Sequence, residues 1–177
     1  MIGVTQTVSH DPLIRAAGGF AIVSGIISAL GIAFLVALYV LAFATPLKTL
    51  GYTFGMLNDI CVAIQYLLTI PIALALYRIL LPHNAPLIWI ATIIGIGAMV
   101  AIIVLQLLLV FGVVTFRQQV AWVSLAILVV GAWLVMTGLV ARSTGRLPNS
   151  VVMSAIAVPY FGYPVWAFWL GRRLLGW

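Results

Sequence analysis

Ionisable and nucleophilic side chains are scarce in this sequence, and their placement narrows the available chemistry. The acids are Asp11 and Asp59, the thiol is Cys61 and the imidazoles are His10 and His83. No nucleophile stands beside a base, no carboxylates are paired for acid–base work, and no glycine-rich phosphate loop is present. Histidine and cysteine spacing fits no metal site, and a single cysteine excludes an intrachain disulfide. No catalytic or metal-ligating residue is assigned, and the sequence argues against an enzyme. His83 offers a haem or chlorin ligand in a polar turn, although a lone loop imidazole is more often solvated. The cofactor is left open.

Asp59 is the acid inside an apolar stretch, where an ionisable residue normally marks an ion or proton site. A carboxylate at a helix centre costs about 2.5–3.5 kcal/mol on insertion scales. The competing reading puts Asp59 in the first turn of a helix, with Asn58 as its N-cap and the helix dipole favouring the anion. Around it lie Cys61, Gln65, Tyr66 and Thr69, which make this the most polar apolar stretch. Gln65 and Thr69 share a face at i, i+4. Gln106, midway along a later stretch, is expected to bond Thr69 or Gln65 as interhelical glue, with a polar ligand site as the alternative. Trp133 and Tyr160 sit deep and serve either the core or a hydrophobic-ligand cavity.

These residues are set in a chain of 177 residues, 66% hydrophobic and 6% charged. Soluble domains carry about 25% charged residues, so lipid must be the solvent for most of this surface. The chain reads as an all-α polytopic membrane bundle, a single domain over 1–177 with five transmembrane helices at about 16–44, 58–81, 87–116, 120–141 and 151–170. Thr45-Pro46, Pro82-His83-Asn84-Ala85-Pro86, Arg117-Gln118-Gln119 and the 142–150 loop separate them. Ala42-Phe43-Ala44 resembles a signal-peptide cleavage site, but the run before it is roughly twice the usual 7–15-residue core, so the helix is read as retained.

The formal charge is +6, yet the basic residues are dispersed at the ends of apolar runs. That is a membrane-anchoring pattern and not a nucleic-acid stripe. If side A is the side where helix 1 starts, five alternating spans put Arg15, Arg78, Arg142 and Arg146 on side A. Lys48, Arg117, Arg172 and Arg173 then fall on side B, an even split that gives no orientation. Tyr77 and Trp89 form one aromatic belt; Tyr39, Trp122, Trp166 and Trp169 form the other.

Small residues mark the packing seams. Ala21, Gly25, Ala29, Ala33 and Ala37 recur every fourth position in helix 1, for intrachain packing or a homodimer seam. Ser124, Gly131 and Gly138 recur every seventh in helix 4, as in a left-handed crossing. Pro71 interrupts helix 2, and Pro159 and Pro164 interrupt helix 5. Each proline is either a kink or part of a transporter-like inverted repeat in which helices 1–2 and 4–5 flank helix 3.

Gly145-Arg146-Leu147-Pro148 before the last apolar run, Tyr163-Pro164-Val165-Trp166, Leu170-Gly171-Arg172-Arg173 and the Pro71–Leu80 end of helix 2 resemble a broad group of uncharacterised bacterial multi-spanning membrane proteins. The resemblance implies a bacterial inner membrane and no particular substrate. The expected function is a non-enzymatic bundle, acting as an accessory or structural subunit or as a binder of a hydrophobic ligand. The alternative is a small transporter or proton-linked carrier using Asp59 and the proline-broken helices, and a membrane enzyme is the weakest reading. The expected partners are the lipid bilayer and a membrane protein or second copy, not nucleic acid.

Overall fold

The computed structural model describes residues 11–44, 46–82, 85–143 and 162–176. Their regular elements are all helices: α1 (Pro12–Ala44), α2 (Lys48–Leu80), α3 (Ala85–Val110), α4 (Phe116–Ser143) and α5 (Tyr163–Leu174). The first four are long and apolar enough to cross a membrane. The fifth expected span is described only in part. Its helix has 12 residues, about 18 Å at 1.5 Å each, against a hydrocarbon core of about 30 Å.

Local chemistry sets the helix starts. The Leu13 N–H donates to Asp11 Oδ1 at 2.8 Å, so Asp11 caps α1, with Pro12 following at the position that proline suits best. Before α4, Thr115 and Gln118 form a reciprocal capping box. The Thr115 N–H donates to Gln118 Oε1 at 2.9 Å, and the Gln118 N–H reaches Thr115 Oγ1 at 3.4 Å. The break between α3 and α4 therefore falls before residue 116, around Gly112 with its φ of +69°, and Arg117, Gln118 and Gln119 belong to α4.

The largest shift in boundary is at α2, which begins at Lys48 rather than near Asn58. Gly51 and Gly55 read as linker residues because glycine weakens a helix. Here they permit close approach. A Cβ at Gly51 would fall 2.8 Å from the Ala42 nitrogen, and one at Gly55 would fall 3.3 Å from the Leu38 side chain. The Phe34 and Phe54 rings, with centroids 5.8 Å apart, brace the same crossing. Pro71 sits inside α2 without ending it.

Helices α1 and α2 are antiparallel, as Ala42 against Gly51, Gly31 against Asn58 and Cys61, and the Asp11–Arg78 ion pair show in turn. Helices α3 and α4 are antiparallel as well, with Gly95 on Trp133 and Gln106 on Gln119. α2 packs against α1 and α3 and touches α4. α5 packs on α1, and the part of the fifth expected helix that precedes it lies outside the described residues. Pro164 lies in the first turn of α5, where its fixed φ favours the helix. Pro159 lies outside the described residues.

The direction of α5 corrects the charge map. Gly25 of α1 meets Pro164 and Ala167, whereas Gly18 meets Gly171, Leu174 and Leu175. α5 thus runs antiparallel to α1 and ends where α1 begins. Arg172 and Arg173 lie on side A with Arg15, Arg78 and Arg142, while Lys48 and Arg117 remain on side B. Arg146 lies outside the described residues. Trp166 and Trp169 leave the side B belt too, because α5 carries both toward side A: Trp166 is buried, with its ring 5.5 Å from that of Tyr163, and Trp169 is exposed.

Candidate functional site

Three groups of polar side chains stand out inside the bundle, and an apolar groove forms a fourth feature; Ser28, Thr92 and Thr137 are buried outside these groups, with Thr137 Oγ1 donating to the Trp133 carbonyl at 2.8 Å. The first group joins three helices. Tyr163, the first residue of α5, brings its hydroxyl to 3.0 Å from Ser24 Oγ of α1 and 2.5 Å from Thr69 Oγ1 of α2. Ser24 Oγ also donates to the Ala21 carbonyl at 3.0 Å, and Thr69 Oγ1 to the Gln65 carbonyl at 2.7 Å. Ser24 and Thr69 are fully buried and Tyr163 nearly so. Each hydroxyl carries one proton, so three protons serve four contacts and one proton must be shared. Burial in a low-dielectric interior makes such a network a specific clamp between helices.

The second group lies further along the α1–α2 interface toward side B. Asn58 Nδ2 donates to Asp59 Oδ1 at 3.4 Å. Asn58 Oδ1 is buried without a hydrogen-bond partner among the described residues and lies 3.6 Å from where a Gly31 Cβ would be. Asn58 cannot cap α2, because ten residues of helix precede it. The first-turn account of Asp59 therefore fails. Depth offers another: with Arg15 and Arg78 at one boundary, a core of about 30 Å ends near Asn58, twenty residues earlier in α2. Asp59 stands at that boundary, partly buried. Gln65 and Tyr66 are buried on the same helix.

The third group is a pair of amides. Gln119 Nε2 donates to Gln106 Oε1 at 2.6 Å, with both residues buried. The expected bond from Gln106 to Thr69 or Gln65 is not made, because Thr69 is taken by Tyr163. Gln106 also lies 21 residues into α3 and Asp59 21 residues before the end of α2, which places Gln106 level with Asp59 rather than with Thr69. Removing one amide of this pair, as in Gln119→Leu, leaves the other buried and unpaired, at a cost of about 1–3 kcal/mol. The double variant Gln106→Leu/Gln119→Leu is expected to recover most of that loss in a thermal-unfolding series in detergent.

The groove runs between α3 and α4 and opens to the lipid-facing surface. Its volume is about 710 Å³, and Gly97, Ala101, Leu105, Trp122, Leu125 and Val129 are among its lining residues. Nothing lies within 4 Å of the position a Cβ would take at Gly97. Trp133 does not line it; this residue is buried over Gly95, with its Nε1 unpartnered among the described residues. Tyr160 lies outside the described residues.

The small-residue seams divide. Ala21 and Gly25 are buried against or near α5, whereas Ala29 and Ala33 are exposed and Ala37 is half-buried. On α4, Gly138 is buried, Gly131 half-buried and Ser124 exposed. The face of α4 that packs inward instead carries Gln119, Val123, Ala126, Val130, Trp133 and Thr137. Among the described residues no three His, Cys, Asp or Glu side chains gather to hold a metal.

Sequence reasoning passed over Ser24, Gln119 and Tyr163. Ser24 lies seven residues after Ala17, on the inner face of an apolar helix, which is a usable signal. Gln119 was read as part of a break, and Tyr163 as one aromatic among several. No known protein family, curated protein or solved structure matches the chain.

Proposed function

We propose that the protein is a non-enzymatic bundle of a bacterial plasma membrane that holds one apolar, chain-like ligand in the groove between α3 and α4. The observation that carries this reading is the groove itself. It has the volume of a small-molecule site, its lining is hydrocarbon apart from the Trp122 indole, and it opens sideways to lipid. Glycine and alanine on α3 create the room, and Trp122 marks the end nearer side B, at the level where indoles favour the interface. The Ser24, Thr69 and Tyr163 hydroxyls bond one another, and so do the Gln106 and Gln119 amides, which suits packing roles and not substrate contact.

Gly97→Leu/Ala101→Leu should fill the groove without a clash, since Gly97 faces open space. Native mass spectrometry of protein extracted in mild detergent is then expected to show a lipid- or isoprenoid-sized adduct on the wild type and none on the variant. Equal adducts on both sink the proposal, and an adduct of protein mass replaces the ligand with a partner's helix.

A second reading, a proton-linked carrier, is favoured by the buried, unpartnered Asn58 Oδ1 beside Asp59. Loss of a proton-coupled flux in proteoliposomes on Asp59→Asn, with the fold kept, would put the carrier ahead of the binder.

A further inference from the structure

We propose that the side A end of the bundle is a docking surface for the headgroups of anionic phospholipids, completed by the return of α5 along α1. The proposal is independent of the groove. Its basis is a juxtaposition that the linear sequence hides. Gly171 packs so closely on α1 that an added Cβ would fall 2.7 Å from the Gly18 carbonyl oxygen. This contact sets the neighbouring Arg172 and Arg173 beside the first turns of α1, where Arg15 lies one turn before Gly18. α5 turns Tyr163, Trp166, Ala167, Leu170, Gly171 and Leu174 inward, and both arginines are left exposed. Arg78 joins them through its contact with Asp11 at 3.4 Å, and its side chain remains 60% exposed. Arg142, at the end of α4, is exposed on the same side.

Side A thus gathers five arginines among the described residues, with Asp11 as their acid. The other acid of the sequence, Asp59, lies 19 residues from Arg78 along α2, about 28 Å away. That separation exceeds a Debye length at physiological ionic strength. No second carboxylate of the described chain is close enough to balance them. These guanidinium groups stand at the lipid boundary, where phosphate is the abundant anion, and their planar forks match phosphate oxygens. Clusters of four to eight basic residues beside membrane helices recruit anionic lipid, and this cluster is assembled from three helices and completed by a fourth. Capping of the α5 dipole by Arg172 and Arg173 would also favour basic residues there, but it would give no preference among lipids.

The test uses the full chain, delipidated and then reconstituted in nanodiscs of equal parts phosphatidylglycerol and phosphatidylcholine. Lipid retained after release is counted by native mass spectrometry. Wild type should retain phosphatidylglycerol over phosphatidylcholine, and Arg172→Gln/Arg173→Gln should lower that preference by about tenfold. Lys48→Gln/Arg117→Gln, on side B, should leave it unchanged. The exposed positions keep the fold out of the comparison, and circular dichroism checks it. An unchanged preference in the side A variant overturns the proposal, as does an equal loss in the side B variant. Displacement by millimolar inorganic phosphate assigns the arginines to a free anion, and retention of an acidic protein assigns them to a protein partner; either result also overturns it.

Discussion

Gly95→Ala should destabilise the protein by about 1–3 kcal/mol through over-packing, and Gly95→Leu should separate α3 from α4. A Cβ at Gly95 would fall 2.6 Å from Trp133 Cγ, 2.8 Å from Cδ1 and 3.1 Å from Cβ. Trp133 is 2% exposed, and the base of its ring cannot swing away without moving α4. The control lies two residues along the same helix. Gly97 has nothing within 4 Å of the same position, so Gly97→Leu should shift stability by no more than about 0.5 kcal/mol. Both helix propensity and membrane hydrophobicity change in the same direction in the two variants, so the difference isolates the tryptophan contact. Thermal midpoints in one detergent read it, and combining Gly95→Ala with Trp133→Leu should restore part of the loss, as a coupled pair requires. Equal midpoints for the leucine variants at 95 and 97 would mean that Trp133 does not pack on α3.

Side A should face the cytoplasm. With α5 returning to the side where α1 starts, the described basic residues divide as Arg15, Arg78, Arg142, Arg172 and Arg173 against Lys48 and Arg117. Short membrane-flanking segments rich in arginine and lysine stay inside, and the imbalance is large enough to set the whole topology. The readout is all-or-none. On a Cys61→Ser background, Val113→Cys lies in the turn between α3 and α4 on side B, where Val113 is 68% exposed. A membrane-impermeant maleimide should label it in intact cells. Pro82→Cys, in the exposed turn after α2 on side A, should be labelled only after permeabilisation. The reverse pattern would show that the arginine cluster does not set orientation.

The apolar runs made four of the spans legible, because lipid demands about twenty apolar residues in a row and soluble folds seldom supply them. Helix ends were less legible where tertiary contact overrides propensity. Gly51 and Gly55 looked like linker and are points of close contact of α2 on α1. Thr115 and Gln118 carried a readable capping signal that the neighbouring Arg117-Gln118-Gln119 run obscured. Thr69 could be singled out as a polar residue on an inner face. Its partner could not, because Tyr163 is 94 residues away and reaches it only through the direction in which α5 runs. Gln106 shows the same difficulty: it was legible as interhelical glue, but the expected partner lay on α2 and the helix it holds is α4. Pairings between distant helices depend on topology, and hydropathy records depth but not neighbours.

The clasp of Gly18 on Gly171 also sets an order of assembly. The chain is made from its N-terminal side, so α1 is in place long before residues 163–174 leave the ribosome. Until they do, Ser24 and Thr69 lack the Tyr163 hydroxyl, and the small-residue face of α1 at Ala17, Gly18, Ala21 and Gly25 has no α5 against it. That face invites any nearby transmembrane helix that offers small residues of its own. A chain arrested before residue 163 would therefore be an unfinished product with an open seam, prone to capture by other nascent membrane proteins, and docking of α5 is the step that closes it.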